Sequence, residues 1–392
     1  MGEVPKINRR KFIKYIIGTA AALALKEGLE VLLPPEDPNE KEIADVLSAM
    51  KSENNRAKAS AGRYISQNPT RVLEIKEAFR KKKLESDREP NSSFPQIILS
   101  QVSAEKDVSF EIVFQRSGTP NLLFLFPGAD NSLEVIDDYW PYLRAEEPHY
   151  TIVRMFYGGD SKLHPLLNSP GGLLEGQGKL SFNEAEDALL VLSYLQQIMV
   201  LPPDPRLNAL GLSYGSFQAA RFMTMANLAG IKTDHLVGLS GVYNMFSGAD
   251  NQTLIEKALR FKAHNQLDRP TIIKNSPWHW INQAGNMMAQ DKFKITLAVG
   301  DKDDVISPEN TDLFNQRLAG IIPHSELVFP GGIHDLYYPS PSPSNIDDKW
   351  FDVQKDPIAT QMLRERKAEL QQTPPQLALA KVLSLKNWVG VK

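Results

Sequence analysis

The chain of 392 residues contains no cysteine. This absence excludes a thiol nucleophile, a disulfide framework, cysteine-ligated zinc and iron–sulfur clusters. It leaves the redox compartment open, because a chain without cysteine folds equally well in the cytosol and in the periplasm. The formal net charge is only −3. No overall excess of lysine and arginine therefore favours a nucleic-acid partner, whose phosphates require clustered positive charge.

Two other signals are missing from the sequence. No set of histidine and carboxylate residues has the spacing of a metal site, and neither a phosphate-binding loop nor a dinucleotide fingerprint is present. We therefore expect no metal and no cofactor. The composition, with 42% hydrophobic and 23% charged residues, is typical of a folded globular protein and not of a disordered or fibrous one.

The positive charge is concentrated at the amino terminus. Residues 1–25 contain five basic side chains and one acidic side chain, and an apolar run occupies 15–25. A helix of eleven residues spans about 16 Å, about half of a bilayer core, so this run is too short for an ordinary membrane span. A basic stretch followed by a short apolar stretch is instead typical of a secretory signal.

Residues 8–14 read Asn-Arg-Arg-Lys-Phe-Ile-Lys and resemble the bacterial twin-arginine export signal, Ser/Thr-Arg-Arg-x-Phe-Leu-Lys. The arginine pair, the phenylalanine and the last lysine match, whereas the first and sixth positions differ. The resemblance implies that residues 1–35 direct export of the folded protein to the periplasm. The candidate cleavage site at 22–24 lies inside the apolar run and not after it, which disfavours cleavage. A segment that is not cleaved would tether the protein to the membrane. The alternative is a basic amphipathic helix, on the protein's own surface or on a membrane, in a cytoplasmic protein.

Residues 36–95 are predicted to form a polar, helical extension. A helix start is indicated at 37–39, and a second helix begins near Pro69 and ends in a basic run at 80–83. The apolar residues of the first helix recur at helical spacing: Ile43, Val46, Leu47 and Met50. Residues 91–93, Asn-Ser-Ser, are typical of a linker.

From residue 96 onward, short apolar runs alternate with helical patterns. The candidate strands are 96–102, 108–114, 122–126, 150–155, 208–212, 236–239, 295–299 and 326–329. The clearest helices between them are 183–200 and 217–229. Alternation of this kind predicts the α/β class, with a mostly parallel central sheet and helices on both faces. Residues 96–392 are thus predicted to form one domain.

The candidate strand 208–212 runs directly into Gly-Leu-Ser-Tyr-Gly at 211–215, with a helix predicted after it. G-x-S-x-G between a strand and a helix is the pattern of a nucleophile elbow. Its glycines let the strand and the helix cross closely, while Ser213 takes a strained conformation that exposes its hydroxyl. Ser240, in Gly-Leu-Ser-Gly at 238–241, also ends a strand but lacks the second glycine at this spacing, and we interpret it as structural.

A serine hydroxyl needs a base, and the base needs an orienting acid. The histidines after Ser213 are His235, His264, His279, His324 and His334. His334 lies in a glycine-rich segment after the last apolar strand, where a loop can bring its imidazole over the serine, so it is the candidate base. The strand 295–299 is followed by three aspartates that are candidates for the acid: Asp301, Asp303 and Asp304.

An acyl-transfer site also needs two N–H donors for the oxyanion. One is expected from Tyr214, the residue after the candidate nucleophile, at the N-terminus of the following helix. The second is expected from the loop after strand 122–126, which reads Phe-Pro-Gly-Ala-Asp at 126–130.

The elbow, the acid segment and the histidine segment, in that order along the chain, resemble the α/β-hydrolase superfamily over about residues 96–340. The resemblance implies the α/β-hydrolase fold. Residues 300–308 resemble the pattern G-x-x-D-x-x-x-P of that family. This match implies Asp303 as the acid, with Asp304 as the second candidate and Asp301 in the turn.

The same resemblance extends to the oxyanion loop. Residues 126–130 are similar to the His-Gly-x loop of such enzymes, with Pro127 in place of the histidine, which implies the N–H of Ala129 as the second donor. Asp130, close to the hole, would oppose an oxyanion unless it points away or holds a substrate group; the alternative is that it caps the next helix. Ser-Pro-Trp at 276–278 resembles a sequence feature of the esterase and prolyl-oligopeptidase-like branches. This resemblance does not indicate whether the substrate is an ester or a peptide.

The connection between the sixth and seventh strands is longer than a crossover requires. We therefore predict a helical cap over the site at about 243–292. Its candidate substrate-pocket residues are Tyr243, Trp278 and Trp280. The alternative is that these side chains form the cap's own packing core. After a proline- and serine-rich stretch, C-terminal helices are predicted at about 350–390.

These residues predict a serine hydrolase that cleaves a carboxylic ester, in preference to an amide or peptide, through an acyl-enzyme on Ser213, His334 and Asp303. Its partner would be a small-molecule ester or acyl substrate. Two alternatives are an acyltransferase with the same triad and a non-catalytic α/β-hydrolase fold used for binding or as a scaffold. The sequence carries no signal for an oligomeric state.

Overall fold

The structure is a computed structural model, and the residues it describes are 36–88, 96–101, 107–113, 121–128, 150–156, 182–201, 204–246, 253, 256, 259–260, 263–264, 267–290, 293–303 and 305–329. The predicted signal at 1–35, the linker at 91–93 and the C-terminal helices near 350–390 lie outside the described residues.

The helices and strands follow the predicted alternation. In chain order the helices are α1 (Glu40–Gln67), α2 (Pro69–Arg88), α3 (Glu184–Gln197), α4 (Tyr214–Leu228), α5 (Arg269–Lys274), α6 (Pro277–Gln290) and α7 (Pro308–Leu318). The strands are β1 (Gln96–Gln101), β2 (Asp107–Val113), β3 (Asn121–Phe126), β4 (Tyr150–Phe156), β5 (Arg206–Leu212), β6 (Thr233–Leu239), β7 (Lys294–Gly300) and β8 (His324–Phe329). All eight predicted strands are present, and the four helices predicted before residue 230 correspond to α1 to α4.

Helix α1 begins where the sequence predicted. Asn39 is its N-cap: the Asn39 side chain accepts a hydrogen bond from Glu42 N at 3.0 Å, and Asn39 N donates to Glu42 Oε2 at 2.9 Å. This reciprocal pair is a capping box, which satisfies two N–H groups at the helix end. The apolar residues predicted to face inward are buried: Ile43, Val46, Leu47 and Met50.

The described strands form a single sheet in the order β1-β2-β4-β3-β5-β6-β7-β8. Strand β2 runs antiparallel to its neighbours β1 and β4, whereas all other neighbouring strands are parallel. A strand order of 1-2-4-3-5-6-7-8 with only the second strand reversed is that of the α/β-hydrolase fold. The chain therefore has this fold, as its motifs implied.

The central strands are buried on both faces. Every residue of β3 is buried, and in β5 and β7 every residue except the first is buried. Because successive side chains of a strand point to opposite faces, both faces of the sheet's centre are covered. Strands β3 to β8 are parallel and end at the same edge of the sheet, so the loops that follow them gather at that edge.

The helical extension packs on the helices beside the sheet. Helix α1 contacts α3, α4 and α5. Tyr64 of α1 meets Tyr194 of α3 edge to face, with ring centroids 6.0 Å apart. At the start of α5, Arg269 Nε pairs with Glu42 Oε1 at 2.5 Å. The extension thus buries apolar surface against the rest of the chain.

The second half of the predicted cap forms α5 and α6. Helix α6 contacts α4 and α7, which in turn contact the sheet, and its apolar residues Ile281, Ala284 and Met288 are buried. Helix α6 therefore belongs to the helical layer beside the sheet, as part of the crossover from β6 to β7. Within the part of the chain that the structure describes, no helix combines the length and the apolar character needed to cross a membrane.

Candidate active site

Ser213 occupies a strained turn between β5 and α4. Its φ of 53° and ψ of −118° lie in a region that non-glycine residues rarely adopt. The turn stays attached to the sheet, because Ser213 N donates to the carbonyl oxygen of Leu239 at 2.7 Å. The residue remains partly exposed. A serine held in this way between a strand and a helix has the geometry of a nucleophile elbow.

The two glycines of the motif are explained by a close crossing of β5, α4 and the end of β3. A Cβ at position 211 would lie 2.3 Å from the carbonyl oxygen of Gly215. A Cβ at position 215 would lie 2.2 Å from the carbonyl oxygen of Phe126 and 2.4 Å from that of Pro127. These neighbours are backbone atoms, which cannot move aside as a flexible side chain can. Only glycine therefore fits either position without displacing the backbone.

Ser216, which is fully buried, stabilises the same turn through hydrogen bonds. Its Oγ lies 2.9 Å from the carbonyl oxygen of Gly211 and 2.9 Å from that of Leu239. Its backbone N–H donates to the carbonyl oxygen of Ser213 at 3.0 Å. These contacts tie the first turn of α4 to the ends of β5 and β6, so the position of Ser213 is set by three elements at once.

Asp303 lies in the loop after β7, two strands from β5. It is 6% exposed, and its Oδ1 accepts hydrogen bonds from Val305 N and Ile306 N, each at 2.9 Å. These bonds fix the orientation of the carboxylate. Asp301 is exposed in the turn before it, and Asp304 lies outside the described residues. Of the two described aspartates, Asp303 has the buried, oriented carboxylate that the acid of a triad requires.

Residues from the first half of the predicted cap hold the acid loop. Thr253 Oγ1 donates to the carbonyl oxygen of Val305 at 2.5 Å. On α7, Asn310 donates to the carboxylate of Glu256 and accepts from Arg260 at 3.3 Å. Burial raises the pKa of Glu256 and lowers the pKa of Arg260, because it disfavours the charged form of each group. The loop that carries the acid is therefore supported by a buried polar cluster.

The two expected oxyanion donors lie on segments that meet at the elbow. Tyr214 is the first residue of α4, so its N–H lies at the positive end of the helix dipole. Its side chain is buried, with the residue 1% exposed. The loop after β3 starts in contact with the same helix end, where Gly215 abuts Phe126 and Pro127. Ala129 and Asp130, further along that loop, lie outside the described residues.

The candidate base, His334, also lies outside the described residues. Strand β8 ends at Phe329, five residues before it, and β8 is parallel to β7, which leads into the Asp303 loop. The chain therefore leaves the sheet at the edge that carries Ser213 and Asp303.

The other histidines near the sheet are engaged elsewhere. His235 lies within β6, where its Nε2 is 2.9 Å from Thr296 Oγ1, and burial lowers its pKa to about 4. Burial likewise lowers the pKa of His279 to about 4, because it disfavours the imidazolium. His324 opens β8, at the edge of the sheet opposite to Ser213. His264 Nε2 lies 2.8 Å from the carbonyl oxygen of Met245. His334 therefore remains the proposed base.

The three aromatic candidates for a substrate pocket pack into the protein. Tyr243 is 1% exposed and stacks on Phe314, with ring centroids 4.2 Å apart. Trp280 is fully buried, and its Nε1 donates to a backbone carbonyl at 3.2 Å. Trp278 is partly buried, with the guanidinium carbon of Arg317 at 5.3 Å from its ring centre. This packing favours the alternative, in which these side chains belong to a core, and we do not include Tyr243 or Trp280 in the proposed site.

The sequence did not predict a buried polar cluster on the inner face of α4. Gln218 and Arg221 are fully buried, and both donate to Asn275 Oδ1, at 3.1 Å and 3.0 Å. The signal that could have identified them is the presence of two long polar side chains within an otherwise apolar helical pattern.

Among the described residues, no group of three or more histidine, aspartate or glutamate residues could hold a metal ion. The chemistry of a Ser-His-Asp triad is supplied by side chains and backbone N–H groups.

Several solved structures of hydrolases are similar to this chain. Carboxyl esterase 2 from the mycorrhizal fungus Tuber melanosporum is 11% identical, with a TM-score of 0.47 over 76% of this chain and 86% of that chain. An α/β serine hydrolase without lid from Xanthomonas campestris is 13% identical, with a TM-score of 0.42 over 77% of this chain and 100% of that chain. A puromycin-hydrolyzing peptidase from Mycobacterium tuberculosis is 15% identical, with a TM-score of 0.44 over 62% of this chain and only 36% of that chain.

No protein-family model matches the chain, and no curated protein sequence matches it significantly. The strand order by itself shows the α/β-hydrolase fold of this chain.

Proposed function

We propose that the protein is a serine hydrolase that cleaves a carboxylic ester through an acyl-enzyme intermediate. The observation that carries the proposal is the turn at Ser213. Its positive φ, and two glycines where a Cβ would collide with backbone, hold the serine at the N-terminus of α4. Strain that the surroundings over-determine in this way is typical of functional sites. The buried, doubly hydrogen-bonded carboxylate of Asp303 at the same edge of the sheet supports the proposal.

In the proposed reaction, Ser213 Oγ attacks the carbonyl carbon of the ester while His334 accepts the hydroxyl proton. Asp303 orients the imidazole and stabilises the imidazolium. The tetrahedral oxyanion accepts hydrogen bonds from the N–H groups of Tyr214 and Ala129. When the intermediate collapses, the bond to the alcohol oxygen breaks, and His334 returns the proton to the leaving alcohol. Water, deprotonated by His334, then attacks the acyl-enzyme and releases the carboxylic acid and the free serine.

We propose an ester in preference to an amide or a peptide. An amine leaving group must be protonated before the C–N bond breaks, whereas an alkoxide departs more readily. Amide cleavage therefore places a stricter demand on the position of the His334 imidazole. Transfer of the acyl group to an alcohol in place of water would use the same acyl-enzyme, so product analysis with an added alcohol distinguishes an acyltransferase.

Labelling with a fluorophosphonate tests the nucleophile directly. Wild-type protein should be labelled, and Ser213→Ala should not. Ser240→Ala is the matched control, because Ser240 also follows a parallel strand, has a φ of 46° and is fully buried. This variant should be labelled like the wild type. Unlabelled wild-type protein that unfolds cooperatively would overturn the proposal and favour a non-catalytic fold.

Paired substrates then test the reaction and the triad. We expect p-nitrophenyl esters to be turned over faster than p-nitroanilides with the same acyl group, and the opposite order would favour a peptidase. Asp303→Asn and His334→Ala should each lower kcat by about 10³-fold or more. Asp301→Asn, an exposed position in the same loop, should leave kcat nearly unchanged.

A further inference from the structure

The phenol of Tyr214 is the centre of a buried hydrogen-bond network behind the candidate oxyanion hole. Its hydroxyl donates to Glu184 Oε2 at 2.7 Å and accepts from Gln218 Nε2 at 3.3 Å. Tyr214 is also the residue whose backbone N–H is the expected oxyanion donor. Its side chain is therefore anchored on one side of α4, while its N–H lies at the start of the same helix.

Glu184 is placed to serve as this anchor. It is 3% exposed and is the first residue of α3, where the positive end of the helix dipole favours a carboxylate. Gln218 links the same two helices a second time, because its Oε1 accepts from Ala185 N at 3.1 Å. The start of α3 and the start of α4 are thus joined by two hydrogen bonds, one from the phenol to Glu184 and one from Ala185 N to Gln218.

The segment before Glu184 is itself held in a strained conformation. Phe182 has a φ of 57°, although it is not glycine. Its carbonyl oxygen accepts hydrogen bonds from Arg221 at 2.6 Å and from Asn275 at 3.1 Å. Its ring packs edge to face on Tyr214, with centroids 5.5 Å apart. Strain of this kind persists only where the surroundings over-determine it, so this network fixes the position of residues 182–184.

An oxyanion hole works only if its donors are already in place before charge develops. A donor on the first residue of a helix is exposed to fraying, since helix ends make fewer backbone hydrogen bonds. We infer that Glu184 is a positioning residue: through the Tyr214 phenol it holds the Tyr214 N–H in the geometry that binds the oxyanion. This inference rests on the proposed serine hydrolase function, in which that N–H stabilises the tetrahedral intermediate.

Tyr214→Phe tests the inference with the smallest change. It removes the phenol oxygen and keeps the ring and the backbone N–H. We expect kcat for a p-nitrophenyl ester to fall by about tenfold, with KM nearly unchanged, because a small displacement of a catalytic group costs up to about 100-fold. The matched control is Tyr194→Phe: Tyr194 is fully buried on α3, and its hydroxyl has no hydrogen-bond partner among the described residues. This control should keep the wild-type kcat.

Two substitutions at residue 184 separate positioning from simple packing. Glu184→Gln keeps an oxygen that accepts from the phenol and should retain most of kcat, whereas Glu184→Leu should lose as much as Tyr214→Phe. Affinity for an aryl boronic acid, which forms a tetrahedral adduct with a nucleophilic serine, is the second readout. It should weaken in Glu184→Leu and in Tyr214→Phe by about the same factor as kcat, since only the tetrahedral state uses the hole.

The outcomes distinguish this inference from the proposed function. If wild-type protein reacts with fluorophosphonate, and Tyr214→Phe and Tyr194→Phe have the same kcat and boronic-acid affinity, the inference is overturned while the hydrolase stands. A uniform loss of stability without a change in kcat or boronic-acid affinity would also overturn it, because the network would then be only structural. If folded wild-type protein does not react with fluorophosphonate, the proposed function fails, and the inference fails with it.

Discussion

A Cβ on Gly215 would lie 2.2 Å from the carbonyl oxygen of Phe126, so β3 and α4 meet at a point with no room for a methyl group. The contact sets the separation between the loop after β3 and the turn at Ser213. In the proposed site these two segments supply the two oxyanion donors. Any side chain at position 215 must therefore displace one donor relative to the other.

Gly215→Ala should consequently impair both folding and activity. We expect it to lower the free energy of unfolding by about 1–3 kcal/mol, because the neighbours are backbone atoms, and to lower kcat more than it raises KM. Gly62→Ala on α1 is the control, since its Cβ would meet only the flexible side chain of Gln197, at 3.2 Å. Alanine is also the better helix former there, by about 1 kcal/mol. Urea unfolding and ester kinetics measure both effects, and equal stability of the two variants would contradict the argument.

The strands were predictable because their signal is local, and β1 and β4 begin where the sequence predicted, whereas the other strands begin one to three residues earlier. Strand β6 begins at Thr233, three residues before the apolar run that indicated it. Asp234 and His235 continue the strand despite their polarity, because backbone pairing does not depend on the side chain. Asp234 is compensated by Arg206 of β5, at 2.8 Å. Such cross-strand pairing depends on the sheet order and leaves no signature in either segment alone.

The observed bounds of two helices also differ from the predicted bounds. Helix α4 begins at Tyr214, immediately after the nucleophile turn, and not at residue 217 where the apolar pattern starts. Helix α2 continues through the basic run to Arg88, since lysine, arginine and glutamate favour helix as strongly as most apolar residues do. Hydrophobic periodicity reports which residues of a helix are buried and not where the helix stops.

The candidate site was only partly predictable. The placement of Ser213 and Asp303 at one edge of the sheet follows from parallel strands that end together, which a motif order can indicate. The contact between Glu184 and Tyr214 joins residues 30 positions apart in sequence, and it depends on how α3 packs beside α4. The positive φ of Phe182 could not be predicted, because the residue at this position is not a glycine. These features arise from tertiary packing and could be found only in the folded chain.

The helical extension should contribute to the stability of the whole domain. Met50 on α1 is fully buried, whereas Leu73 on α2 is 63% exposed. Met50→Ala should lower the free energy of unfolding by about 2–4 kcal/mol, because it leaves a cavity between α1 and its neighbours. Leu73→Ala should change it by no more than about 0.5 kcal/mol. Urea unfolding followed by the fluorescence of the chain's five tryptophans, all of which lie C-terminal to the extension, would show whether the loss of stability reaches the rest of the chain. An unchanged midpoint for Met50→Ala would mean that the extension unfolds independently.

We propose that residues 1–35 direct export by the twin-arginine route. A reporter fused to this segment should reach the periplasm of a bacterial cell. Replacement of both arginines, Arg9→Lys with Arg10→Lys, should abolish export, because the charge is kept while the arginine pair is lost. Lys6→Arg with Lys11→Arg is the control outside the pair and should be exported. Fractionation of the cells measures the result, and unchanged localisation of the double-lysine variant would refute the proposal.

Glu186 should be important for stability, because it pairs with the buried guanidinium of Arg221. Arg221 is fully buried and forms an ion pair with Glu186, and burial lowers the pKa of Arg221 to about 10. Glu186→Gln should lower the free energy of unfolding by about 2 kcal/mol or more, because it leaves a buried charge without its ion-pair partner. Adding Arg221→Met to Glu186→Gln should cost less than the two single changes together, by about 1–3 kcal/mol. Strict additivity in the double-mutant cycle would show that the pair is not coupled.

Glu326 on β8 should make stability depend on pH near neutrality. Burial, and then a hydrogen bond and the negative charge of Asp312, raise the pKa of Glu326 to about 7, from an ordinary value of 4.5. Because the folded protein holds this proton more tightly than the unfolded chain, the contribution to stability is complete below about pH 4.5 and is lost as the pH rises through 7.

Glu326→Gln isolates this effect, since the amide keeps an oxygen for Asn315, which donates to Glu326 Oε2 at 2.7 Å, but cannot ionise. We expect the variant and the wild type to have the same unfolding midpoint at pH 4, and the variant to be the more stable at pH 8. Glu77→Gln, at an exposed position on α2, controls for the loss of one negative charge and should track the wild type at both pH values. The prediction fails if the unfolding midpoints of Glu326→Gln and the wild type differ by the same amount at pH 4 and at pH 8. The pKa of Glu326 would then be the same in the folded and the unfolded protein.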